Sequence, residues 1–190
     1  MAEAVDLAAA VAAPDVSWDQ GDIVEGVYFA AFDKSMPAVL VTPACDIEQD
    51  KVELWTFVVL FPDVDVAKAT VAKDLADWNL APGTAPSKRQ HEALAKALRS
   101  LVGQRLPRYQ WLPVRIGEVA GHVADFTCVT ALPAEEVKHT AKRVATLRSS
   151  WREQLPARYS AFMARVGTLD FKGDVLDAEI DRLISGVLAR

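Results

Sequence analysis

The chain has 190 residues, 51% of them hydrophobic and 25% charged, with a formal net charge of −5. That composition is ordinary for a globular protein able to bury a core, and it excludes a low-complexity or disordered chain. No apolar run approaches the ~18 residues that cross a bilayer, and Met1 to Pro14, with Glu3, Asp6 and no basic start, fits a signal peptide poorly; the expected location is cytoplasmic.

Asp19 to Phe32 reads as a turn at Gln20-Gly21-Asp22 followed by a β-branched and aromatic strand, Ile23 to Phe29. Asp33-Lys34-Ser35 is expected to turn the chain into a second strand, Ala38 to Thr42, forming an antiparallel hairpin. Val52 to Phe61 is the most apolar segment and predicts a central strand closed by Pro62. From Asp63 the period changes. Val64, Ala67, Val71, Leu75 and Trp78 recur at steps of three and four, predicting an amphipathic helix capped by Asp63. Asn79 to Pro86 reads as a loop, and Ser87 opens a second helix that runs to about Val102 and stops at Gly103.

Strands resume at Tyr109 to Val114 and Val123 to Leu132. Ala134 to Val166 then predicts helix throughout, with Val137, Val144, Leu147, Trp151, Leu155, Tyr159, Phe162 and Val166 on one stripe and a break or kink at Pro156, giving two helices that meet at an angle. A last amphipathic helix is expected after Gly173. The order strands, inserted helices, strands, helices predicts an α+β fold, either a small, mainly antiparallel sheet or a small barrel. A single domain over 1–190 is expected, with a strand-rich core at 15–132, a helical insertion at about 63–102 and C-terminal helices at 134–190.

The net charge hides a division. Residues 1–86 hold four Lys, no Arg and 15 Asp+Glu, a formal −11, whereas residues 87–190 hold 17 Lys+Arg against 11 Asp+Glu, a formal +6. Such asymmetry fits a polyanion-binding face on the basic half, or two halves that attract each other within one fold or across a dimer. Lys138, Lys142, Arg143, Arg148 and Arg152 are the candidate polyanion contacts. Their spacing makes no single helical stripe, and Trp151, Tyr159 and Phe162 fall among core positions rather than as stacking platforms.

Cys45 and Asp46 form the other candidate, a thiol beside a carboxylate at the end of the second strand. A catalytic thiolate needs a base or a cation, and a carboxylate raises the thiol pKa instead. His91, His122 and His139 are the available bases, but none is spaced to point at Cys45. The competing reading is a strand end at which Asp46 caps a turn. Cys45, Asp46, His122 and Cys128 are a candidate metal set, since His122 and Cys128 are six apart on one expected strand and should share a face. No pair has the spacing of a structural zinc site, so no metal is expected. Phosphate-binding, dinucleotide and serine-hydrolase motifs are missing, and no cofactor is expected.

Gly21-Asp22-Ile23-Val24, then Met36-Pro37-Ala38-Val39-Leu40-Val41, then Phe57-Val58-Val59-Leu60, resemble the opening strands of PemK/MazF-type toxins over about residues 18–62. The resemblance implies an SH3-like barrel, dimerisation and cleavage of single-stranded RNA. Met36 stands where the family has an arginine before the proline, and Leu60-Phe61-Pro62-Asp63 lacks the family's threonine or serine. Together these readings favour a non-catalytic interaction or regulatory module of a bacterial cytoplasmic system, working through a protein partner or self-association and not through a membrane. The alternatives are a divergent endoribonuclease using Arg108 or Arg115, and a nucleic-acid-binding protein using the basic half.

Overall fold

A computed structural model describes residues 11–78 and 87–164 of the chain. The fold is α+β and is built on one antiparallel sheet. Its strands in chain order are β1 (Val11–Ala12), β2 (Asp22–Phe29), β3 (Lys34–Leu40), β4 (Leu54–Pro62), β5 (Tyr109–Ile116), β6 (Val119–Pro133) and β7 (Lys142–Leu147). In space they lie in the order β1-β7-β2-β3-β4-β6-β5, so β1 and β5 are edges. Of the two forms expected, the sheet is the open one and not a closed barrel.

Both faces of the sheet are covered, which explains the continuous apolar runs in β3 and β4. One face buries Ile23, Val39, Val58, Leu60, Leu112 and Phe126. Over it lies helix α5 (Ser149–Ala164), which presents Trp151, Leu155, Tyr159 and Phe162 at steps of four, four and three. The opposite face buries Val24, Leu40, Trp55, Phe57 and Val59 beneath two short helices, α1 (Ala44–Glu48) and α4 (Ala134–Thr140), through Ile47 and Val137. A third cluster joins α2 (Asp63–Trp78) and α3 (Lys88–Val102) to the sheet through Val66, Leu101 and Val123.

The β2–β3 hairpin forms as expected, but its turn occupies Ala30 to Asp33 and β3 already begins at Lys34. A register shift between Val24 and Val27 contains Gly26 at φ 92°, a bulge conformation that a residue without a Cβ adopts most easily. α3 starts as its sequence predicts: Ser87 and Gln90 form a reciprocal capping box, and Gly103 closes the helix.

The expected helix over Ala134–Val166 is corrected. Its middle, Lys142–Leu147, is the strand β7, inserted between β1 and β2. The β2 backbone needs a hydrogen-bonded neighbour on that side, and this requirement outweighs a helical period that joined Val137 to Leu147. Those two side chains in fact pack on opposite faces of the sheet. Pro156 lies inside α5, with helix on both sides of it, so of the break or kink expected there the break does not occur. The loop Asn79–Pro86 and the helix expected after Gly173 lie outside the described residues. No helix among the described residues is long and apolar enough to cross a membrane.

Candidate functional site

The structure places the five candidate cations on three elements rather than on one face. Lys138 is on α4, Lys142 and Arg143 are on β7, Arg148 precedes α5 and Arg152 is on α5. Four of them meet carboxylates from the acidic half of the chain. Arg143 Nε lies 3.0 Å from Asp22 Oδ2, Lys142 Nζ lies 3.1 Å from Glu25 and Lys138 Nζ lies 3.8 Å from Asp50, while Arg152 pairs with Asp19. Lys138 also meets Glu135 at 2.7 Å and sits over the Trp55 ring. Arg148 is exposed, and its side chain has no ion-pair partner among the described residues.

The centre of this seam is Asp22, which is fully buried where β2 leaves the turn at Gly21. Burial pushes its carboxyl pKa up, while the Asp19 N–H, donating to Oδ2 at 2.9 Å, and the Arg143 guanidinium act against that rise. Arg143 is in turn held over the Trp18 ring, and Trp18 packs against Trp55. Beside these aromatics, a hollow of about 560 Å³ is lined by Asp19, Glu48, Trp55 and Lys138, among others.

Cys45 and Asp46 lie on α1, which is a helix rather than a strand end. Cys45 is exposed, and its thiol reaches the Asp46 carboxylate at 3.6 Å. None of the three histidines hydrogen-bonds to it. His122 is buried against the Val114 carbonyl at 3.0 Å, and burial lowers its pKa, keeping the ring neutral; His91 and His139 are exposed on α3 and α4. The shared face expected for His122 and Cys128 is also corrected. β6 shifts register where it passes from Val58 to Leu60 of β4, and this turns Cys128 to the Trp55 face while Phe126 keeps to the α5 face. No group of three metal-ligating side chains occurs among the described residues.

Arg108 holds a second ion pair. Its guanidinium forks onto Asp125 at 2.8 and 2.6 Å, and Asp125 also accepts from the Thr127 N–H and hydroxyl. Burial pushes the Asp125 carboxyl up, but the Arg108 fork and Thr127 outweigh it and hold the pKa below the usual value. Arg108 is therefore already engaged, while Arg115, near the end of β5, is exposed.

Sequence reasoning missed the groove along the edge strand β5. Between the end of α3 and α5 lies a hollow of about 590 Å³ lined by Val102, Gln104, Trp111, Trp151, Gln154 and Arg158, together with Gly103 and Ser150. A smaller hollow of about 200 Å³ shares Gln104 and Arg158 and continues to Arg105, Pro107, Ala161 and Phe162. Trp111 and Trp151 meet edge to face at 6.4 Å, and Val102 is 48% exposed. Arg158 donates to the Leu106 and Tyr109 carbonyls, and Pro113 has no N–H to offer, so the open edge of β5 is blunted. Arg158 Nε and Gln104 Oε1 have no hydrogen-bond partner among the described residues. Among the described residues, neither hollow has an acid in its lining. Asp63 borders an adjoining space between α2 and α3, where it accepts from the Trp111 indole at 3.1 Å. Pro113 inside a strand was the one sequence signal that β5 is an edge.

No protein-family model matches the chain, and no curated protein sequence matches it significantly. Among solved structures, the crystal structure of MazE-MazF (Form-II) from Deinococcus radiodurans is similar, at 13% identity and a TM-score of 0.38, over 82% of this chain and 100% of that one.

Proposed function

We propose that this protein is a non-catalytic interaction module that takes a protein partner in the groove beside β5. The observation that carries this reading is the groove's wall chemistry: two tryptophans and a half-exposed valine, flanked by Arg105 and Arg158, with no acid among the described residues of the lining. Aromatic and arginine side chains are the residues on which protein interfaces most depend. Two further observations favour a protein partner over a nucleic acid or a substrate. Four of the five candidate polyanion contacts already spend their charge within the chain, and Cys45 has only a carboxylate beside it.

The test is affinity purification of the tagged chain from its host, with and without nuclease, beside the Val102→Glu and Gln154→Glu variants. Both positions are exposed, so each variant should keep its circular dichroism spectrum. A stoichiometric protein retained after nuclease treatment by the wild type and lost from both variants is the expected result. Capture of nucleic acid alone, or of a protein indifferent to both variants, rejects the groove as the docking site.

A further inference from the structure

β6 runs on past its outer neighbour. Its pairing with β5 stops where Tyr109 stands opposite Asp125, and the Phe126 N–H then donates to the Arg108 carbonyl, whereas its pairing with β4 continues from Val129 to Pro133. Among the described residues, no strand lies against the outer side of Thr127–Pro133. The side chains there are open as well. Thr127, Ala131 and Pro133 are exposed, Val129 is 37% exposed, and Leu54, opposite Pro133 on β4, is 53% exposed.

Which backbone groups face outward follows from β4. The Thr56 N–H donates to the Thr42 hydroxyl and its carbonyl accepts from the Val41 N–H, so both are used on the β3 side. Thr56 stands opposite Ala131; that pair therefore exchanges no hydrogen bond, and the Ala131 N–H and C=O point away from β4. Those of Val129, two residues earlier, point the same way. No charged residue falls between Asp125 and Glu135, although charge is a usual guard of an open edge.

We propose that a second copy of this chain pairs antiparallel with Thr127–Pro133 about a two-fold axis at Thr130, continuing the sheet from one protomer to the other. This surface is separate from the groove beside β5. In that register Val129 of each copy stands opposite Ala131 of the other, and each such pair exchanges both of its N–H···O bonds. Leu54, Val129, Ala131 and Pro133 lie on the sheet face of Val58, so their apolar rows join across the axis. The register also matches charge. Pro133 of one copy stands opposite Thr127 of the other, which brings the exposed Glu135 and Glu136 of α4 toward Arg108, whose side chain is 48% exposed beyond its fork on Asp125. That match favours a second copy over an unrelated strand.

The experiment oxidises the full chain carrying Thr130→Cys, with Cys45→Ser and Cys128→Ala to remove the native thiols, and follows dimer on a non-reducing gel. A non-hydrogen-bonded pair holds its Cα atoms ~4.5 Å apart, within disulfide reach, whereas Pro133→Cys places its two thiols about 20 Å apart along the strands. Dimer should therefore form several-fold faster with Thr130→Cys than with Pro133→Cys. Sedimentation of the wild type should show a dimer that grows with concentration, and Val129→Lys should remove it while leaving the circular dichroism spectrum intact. Hydrogen exchange on the unaltered chain gives a reading free of substitution: the Val129 and Ala131 amides should exchange fast when dilute and slow several-fold as the dimer forms. A monomer at every concentration, equal oxidation rates for the two cysteine variants, or protection of those amides already present in the monomer overturns the proposal.

Discussion

The two ends of the sheet use the basic half of the chain in opposite ways. At the β7–β2 end, arginines and lysines from residues 138–152 meet Asp19, Asp22, Glu25 and Asp50, and the charge division of the sequence closes on itself. At the β5 end, Arg105 and Arg158 border an apolar groove in whose lining no acid among the described residues answers them. The difference teaches that a basic stretch marks a binding surface only where the fold leaves its charge unmatched. On that view, the first end should govern stability and the second should govern association.

Arg143→Ala tests the matched end most severely. It leaves the fully buried Asp22 carboxylate without its cation, and breaking a buried pair costs about 3–5 kcal/mol. Urea unfolding should report a loss in that range, whereas the double variant Asp22→Leu with Arg143→Met should recover most of it, because an apolar pair of similar size avoids the desolvation cost. A small loss for Arg143→Ala alone would mean that the seam is not a structural closure.

Arg108→Ala is expected to cost less, about 1.5–3 kcal/mol at neutral pH, since one partner of its charged hydrogen bonds is half exposed at 48%. Its pH dependence is the sharper reading. Asp125 has a folded pKa below its ordinary value of 3.8, so its contribution is present above that pH and is lost as pH falls through the depressed value. Removing Arg108 takes away the main lowering influence, so the slope of stability between about pH 5 and pH 2 should flatten relative to wild type. An unchanged acid limb would show that Thr127 alone holds the carboxylate ionised.

At the open end, Val102→Glu should change stability by under about 1 kcal/mol while removing partner capture. If it destabilised the protein as much as Arg143→Ala, the division between charges that hold the fold and a surface that holds a partner would collapse. The smallest effect is expected for Glu25→Ala, which breaks the exposed pair with Lys142; such pairs contribute about 0–1 kcal/mol and are screened by salt. Thermal melts at low and high salt should converge for this variant and its parent.

The α+β class, the hairpin, the helix start at Ser87 and the core stripe of α5 were legible in the sequence, because each depends on neighbours a few residues away. Side-chain periods, capping residues and turn residues act over that range. β7 was hidden for the complementary reason. Val144 and Leu147 are three apart as in a helix, yet the free side of β2, more than a hundred residues earlier, decided that the segment would be a strand. Likewise Lys142 and Arg143 read as a polyanion face until the sheet brought Glu25 and Asp22 to them. The sequence by itself thus determined the central strands, the helices with strong periods, which side chains are apolar and how charge divides along the chain. Only the tertiary structure decided which charges cancel, which strand becomes an edge and where a groove remains, since each depends on pairing between distant segments that no local period records.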